Sequence, residues 1–336
     1  MSYAWLNFIL VLLTSVASAE VHPDGQENAV WARSSYFRGF DATTGEKLTD
    51  HLLDEFALRL KQSGIRFAYV FSGPFQDDGH LPRFAFSERA RESIQYLKKK
   101  YPELKILPWI GGVENKTVHL DNPKWVQNSI QDTVRLAKAM AIDGIHIDLE
   151  YVLFPASKKN SAINQQLYRK NWVHFHKLLR KALPQTFLST VAIATSQTTL
   201  PWKLKHTLSE ITDVSREVNQ VSFMFYETHI HDLKLYRQGL REQLQDIKAL
   251  KNKLGRQSPR FLMGIGAFKN SGPLRKYRDM RIENLPTTLK VLTELTNEFS
   301  APLVDGLAIY SEWLASPDEW TQISQYWVNS SSPNQK

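Results

Sequence analysis

Residues 141–154 read Ala-Ile-Asp-Gly-Ile-His-Ile-Asp-Leu-Glu-Tyr-Val-Leu-Phe, an apolar run in which His146, Asp148 and Glu150 recur at every second position. On a β-strand such residues project to the same side. Two carboxylates and an imidazole aligned at the carboxyl end of a strand suggest acid/base chemistry, because in α/β barrels that end carries the active site. Solvated acids at the end of an ordinary strand would give the same local pattern, so the meaning of this row depends on the rest of the chain.

Working outward, short apolar runs alternate with longer stretches of helical period, as βαβ units require. Expected strands are 30–34, 67–71, 106–110, 144–149, 188–194, 221–225, 261–265 and 306–310. Expected helices are 50–62, 88–100, 123–140, 165–183, 233–253, 287–298 and 317–327, with a poorly marked one somewhere in 203–217. Asp121-Asn122-Pro123 and Ser316-Pro317 each place a capping residue before a proline suited to a first helical turn. Eight strands and no linker predict a single (β/α)8 domain over about 24–328, with a disordered Ser-rich tail at 329–336.

The composition is that of a globular chain, and no repeat of solenoid length occurs. Residues 1–19 lack charge, contain the apolar run 8–13 and end in Ala17-Ser18-Ala19, which predicts a signal peptide and a secreted or periplasmic product beginning near Glu20. The run is short for an uncleaved anchor, and no later segment reaches the roughly 20 apolar residues of a membrane span. With no cysteine in the chain, disulfides, thiolate metal sites and cysteine nucleophiles are excluded. The net charge of +8, with Lys269, Arg275, Lys276, Arg278 and Arg281 clustered, favours solubility or an anionic surface. No nucleic-acid motif accompanies it. A monomer is expected. Asn115-Lys116-Thr117 would accept a glycan only in a eukaryotic secretory pathway.

With this layout, Asp143-Gly-Ile-His-Ile-Asp-Leu-Glu150 resembles the Asp-Gly-x-Asp-x-Asp-x-Glu signature of glycoside hydrolase family 18, which includes chitinases, endo-β-N-acetylglucosaminidases and inactive lectins and inhibitors. Further elements follow in the right order. Ile-Leu-Pro-Trp-Ile-Gly-Gly at 106–112 resembles the third strand, Met224-Phe-Tyr226-Glu227 the sixth-strand Met-x-Tyr-Asp, and 261–266 and 306–310 fit the seventh and eighth strands. The resemblance implies retaining hydrolysis beside an N-acetylated sugar, with the substrate's acetamido oxygen in place of a protein nucleophile. Glu150 would be the acid/base. Asp148 would hold the acetamido nitrogen, and Tyr226 would hydrogen-bond the acetamido oxygen, unless it is simply a barrel-lining aromatic. Such a reaction needs no metal or cofactor.

The resemblance also implies substrate contacts from Met224 and from Glu227, which stands where the pattern has Asp. His146 replaces a middle Asp that normally shares a proton with the next one; here it would face the substrate site and donate a hydrogen bond to Asp148, at the risk of weakened activity. Tyr310 stands where a Trp usually floors the sugar site, and Trp313 is close enough in sequence to take over. Trp109, Tyr151 and Trp313 are candidate sugar-stacking residues, although Trp109 equally suits core packing. Glu227, His229 and His231 form an odd-numbered series that reads better as a loop than as a metal site, and Asp77-Asp78-Gly79-His80 reads as a polar turn.

Only about twenty residues separate Phe268 from the next helix, too few for the α+β insertion of deep-tunnel chitinases. An open cleft is implied. The partner that the resemblance implies is an N-acetylglucosamine-containing oligosaccharide or polysaccharide. Two other readings stay open: a catalytically silent barrel that binds glycans or inhibits another enzyme, and a related glycosidase barrel acting on a different, for example deacetylated, sugar.

Overall fold

In the computed structural model, residues 27–41, 43–114, 116–151, 162–193, 204–269, 277–300 and 303–330 are described. The expected signal peptide at 1–19, the Asn115 acceptor, Arg275, Lys276 and residues 331–336 of the expected tail lie outside them. The strands are β1 (Ala29–Ala32), β2 (Phe67–Pro74), β3 (Lys105–Val113), β4 (Gly144–Glu150), β5 (Phe187–Ile193), β6 (Gln220–Met224), β7 (Arg260–Gly266) and β8 (Gly306–Tyr310). They pair in parallel in chain order, and β8 closes onto β1. This is the (β/α)8 barrel expected from the sequence.

Strand alternation sorts side chains into two cores. Along β4, Ile145, Ile147 and Leu149 join the large outer core between sheet and helices, whereas His146, Asp148 and Glu150 line the lumen. The lumen has its own apolar cluster, built on Trp31, Tyr69, Leu107, Val191, Met224, Leu262 and Ala308. Phe67 and Phe187, stacked 5.3 Å apart near the strand starts, occupy its lower end.

The helices are α1 (Ser34–Arg38), α2 (Asp50–Gln62), α3 (Glu88–Lys100), α4 (Pro123–Ala139), α5 (Ala162–Ala182), α6 (Leu208–Ser215), α7 (Leu233–Leu254), α8 (Leu285–Phe299) and α9 (Pro317–Ser330). Asn122 caps α4 by accepting from the Lys124 and Trp125 amides, as its place before Pro123 predicts. At α9, Ser316 accepts from the Glu319 amide, and Glu319 accepts from the Ser316 amide in return. The same buried carboxylate accepts from the amides of Phe268 and Lys269, which fixes the exit from β7.

Some boundaries differ from expectation. β1 stops at Ala32, and the chain turns into α1, whose five residues are too few to show a helical period. Tyr36 and Arg33 tie this turn to the buried carboxylate of Glu312. Residues 329 and 330, expected in the tail, belong to the last turn of α9. Between β7 and α8 only residues 267–284 intervene, so no insertion domain is present there. No helix among the described residues is long and apolar enough to cross a membrane.

Candidate active site

At the carboxyl ends of the strands, Asp148, Glu150, Tyr226, Glu227, Tyr310, Trp109 and Phe71 surround a cavity of about 270 Å3. Five strands contribute: β2, β3 and β4 directly, β6 through the residues just after it, and β8 through its last residue. Two larger grooves, of about 780 and 770 Å3, lie between α2 and α9 and between α4 and α5, away from the strand ends. The smaller cavity is the one in which carboxylates, phenols and an indole face one another.

Register explains the approach of β3 to β4. Trp109 pairs with His146, Gly111 with Asp148 and Val113 with Glu150. A Cβ at Gly111 would lie 1.8 Å from the Asp148 carbonyl oxygen, so only glycine permits this spacing. The Trp109 indole Nε1 donates to Asp148 Oδ2 at 2.8 Å, and Phe71 packs edge-on against the indole at 4.8 Å. An N–H aimed at a carboxylate favours its charged form.

His146 does not take the part expected of it. Its side chain is fully buried one step below Asp148, outside the cavity lining. Nε2 accepts from the Trp31 indole at 3.2 Å, so the ring proton sits on Nδ1, which donates to Ser189 Oγ at 2.8 Å. Ser189 in turn donates to Gln220 Oε1 at 2.9 Å, an oxygen that also accepts from the Tyr69 hydroxyl at 2.5 Å. Both nitrogens are thus used within the lumen, and neither is available to Asp148 or to a substrate. Burial holds the imidazole well below its usual pKa, so it is neutral. Successive same-face residues on a strand stand about 6.6 Å apart, and Trp31 and Ser189 compete successfully for a ring that points into the lumen.

Tyr226 stacks face to face on Tyr310, with centroids 4.5 Å apart and planes 4° apart, and Trp31 meets both rings edge-on. Burial, reinforced by Tyr310, Asp148, Glu150 and Glu227, pushes the Tyr226 phenol well above its normal pKa. It therefore remains a hydrogen-bond donor. Trp313 supports the edge of Tyr310 at 5.6 Å but does not line the cavity, so the aromatic wall is Tyr310. Met224 is buried in the lumen cluster and also lies outside the lining. Tyr151 points elsewhere: it packs against Tyr168 at 4.9 Å and borders a separate cavity of about 190 Å3 with Glu114 and Asp121. The chain reverses sides immediately after Glu150, as strand alternation requires.

Glu227 lies in the lining with a left-handed backbone, φ 56°. That conformation is secured by Glu283, whose carboxylate accepts from the Glu227 amide, from the Thr228 amide at 2.8 Å and from the Thr228 hydroxyl at 2.7 Å. Burial pushes the Glu283 carboxyl up to about 7, although these donors and Arg278 pull the other way. Glu283 was missed in the sequence, since nothing in an irregular segment marks a carboxylate bonded to a strand end far upstream. The lumen network was visible in principle, because Ser189, Gln220 and Ser222 are polar residues at inward positions of strands. His229 and His231 touch edge-on at 5.3 Å, and His231 pairs with Asp279 at 3.3 Å. Among the described residues no group of three or more His, Cys, Asp or Glu side chains is arranged to hold a metal ion.

A family model described as "Glycosyl hydrolases family 18" matches residues 34–327. No curated protein matches the chain. Among solved structures, a chitinase from Chromobacterium violaceum ATCC 12472 is similar at 14% identity and TM-score 0.57, over 89% of this chain and 98% of that one. The spore cortex-lytic enzyme SleL of Bacillus megaterium QM B1551 is similar at 14% identity and TM-score 0.56, over 89% and 73%. A chitinase of the same family from Cycas revoluta, solved with (GlcNAc)3, is similar at 13% identity and TM-score 0.58, over 91% and 100%. At such identities the likeness is one of fold.

Proposed function

The chain belongs to glycosyl hydrolases family 18, and we propose that it is a secreted glycosidase cleaving β-linked N-acetylglucosamine-containing glycans by substrate-assisted, retaining hydrolysis. The observation that carries this reading is the meeting of Asp148, Glu150 and Tyr226 in one cavity at the carboxyl end of the barrel. Glu150, entering as the acid, gives its proton to the glycosidic oxygen as the bond from that oxygen to C1 breaks. The acetamido carbonyl oxygen closes on C1 from the opposite face to form an oxazolinium. Glu150, now the base, takes a proton from water, whose oxygen attacks C1 and reopens the ring; two inversions leave the configuration retained.

The neighbours fit these steps. Asp148, held through Oδ2 by Trp109, would turn its other oxygen to the acetamido N–H and offset the charge developing on the oxazolinium. Tyr226, kept protonated by burial and by nearby acids, would donate to the acetamido oxygen and aim it. Tyr310 and Trp109 would supply apolar walls for the sugar ring.

Substrate assistance requires the acetamido group. Hydrolysis rates of chitotetraose and of its fully de-N-acetylated counterpart test the reading, which expects turnover of the first alone; equal turnover of both would reject it.

A second reading, glycan binding without hydrolysis, is favoured by one feature: the lumen network ties both nitrogens of His146 to Trp31 and Ser189, so the imidazole shares no proton with Asp148. Oligomer binding with no cleavage between pH 4 and 8, unchanged in Glu150→Gln, would support it.

A further inference from the structure

We infer that Trp109 is a positioning residue, whose indole N–H holds Asp148 by one oxygen from the neighbouring strand and favours its charged form. The kinetic part of this inference rests on the glycosidase reading above; the geometric part does not.

Four features of the site lead here. The hydrogen bond from Trp109 Nε1 to Asp148 Oδ2 is 2.8 Å long, a charge-assisted length. The indole is braced, since Phe71 on β2 meets its face at 70°. Gly111 pairs with Asp148 in register and has no Cβ to meet the Asp148 backbone, so β3 and β4 run close enough for the indole two places earlier on β3 to reach the carboxylate. His146, the side chain beneath Asp148 on its own strand, is spent on Trp31 and Ser189. Trp109 on β3 thus supplies an orienting bond to Asp148 that His146 does not.

The chemistry of the donor matters. An indole N–H donates only and does not take up a proton in the working range, whereas a carboxyl partner can both give and receive one. Trp109 therefore favours the carboxylate form of Asp148 without exchanging a proton with it. Trp109 thus acts on the reaction through Asp148, in addition to the apolar wall its ring gives the cavity.

The test compares wild type, Trp109→Phe and Trp109→His. Phe keeps a ring against Phe71 and deletes the N–H. His places Nε2 at the same bonded distance from Cβ as the indole nitrogen, so its neutral Nε2–H tautomer can restore the donor. The direct readout is the 13C carboxyl titration of Asp148, assigned with Asp148→Asn; the second is the split between kcat and KM on chitotetraose. In Trp109→Phe we expect the Asp148 titration to move to higher pH, kcat to fall by roughly 10- to 100-fold with KM little changed, and Trp109→His to reverse part of both. An Asp148 titration in Trp109→Phe that superimposes on wild type would overturn the inference. If wild type hydrolyses no N-acetylated oligosaccharide, the glycosidase reading fails, while the titration still decides the role of Trp109.

Discussion

The imidazole of His146 lies flat on the phenol ring of Tyr69, with centroids 3.6 Å apart and planes inclined by 5°. Together with its hydrogen bonds to Trp31 and Ser189, this stack makes His146 a keystone of the lumen rather than a member of the reacting row. Replacing it with Ala would leave a void and strand a buried indole N–H. We predict that His146→Ala destabilises the fold by about 3–5 kcal/mol, measured by urea unfolding.

Three buried histidines predict acid sensitivity. Burial lowers His176 to about 4 and His206 to about 3, and depresses His146 as well. Their folded pKa values lie below the unfolded value of about 6.5, so the unfolded chain binds more protons once the pH drops below that value. Their stabilising contribution is complete above about pH 6.5 and is lost as the pH falls toward 4 and 3. Unfolding near pH 5 should therefore take up protons, and His176→Gln should take up fewer, which titration of denaturant-induced unfolding would register.

Glu283 works in the opposite sense. With its carboxyl raised to about 7 in the folded state, ionisation opposes folding, and its contribution to stability declines as the pH rises from about 4.5 to 7. Glu283→Gln should remove that decline. The variant also loses an acceptor for the Glu227 or Thr228 amide, which should loosen the loop carrying Glu227 and cost about 1–3 kcal/mol above pH 7. Stability curves at pH 5 and pH 8 would separate the two effects.

Tyr226 offers a test confined to one atom. Tyr226→Phe preserves the stack on Tyr310 and removes the hydroxyl alone. If that hydroxyl orients the acetamido oxygen, kcat on chitotetraose should fall by roughly 10²–10³-fold with the melting temperature nearly unchanged. A wild-type rate would remove Tyr226 from the mechanism.

The barrel was legible because each strand carries its own period of apolar residues, and the helices announce themselves through caps such as Asn122 before Pro123. Asp148, Glu150 and Tyr226 were legible because they lie at or just beyond the carboxyl ends of strands, where alternation orients Asp148 and Glu150 to one side. Relations between strands were not. The bond from Trp109 to Asp148 depends on the β3 to β4 register, and the capture of His146 by Trp31 and Ser189 joins β4 to β1 and β5 across the lumen. Local pattern carries no information on such pairs. Tyr151 shows the converse, an aromatic next to Glu150 in sequence that alternation turns away from the cavity.

The central claim is that Glu150 delivers and then removes the proton during cleavage of an N-acetylated glycan. The most direct measurement is the rate of chitotetraose hydrolysis by wild type and by Glu150→Gln, with oligomer binding followed in parallel. The account predicts a loss of roughly 10²–10⁴-fold in kcat with binding and fold retained. Unchanged turnover in Glu150→Gln would contradict it.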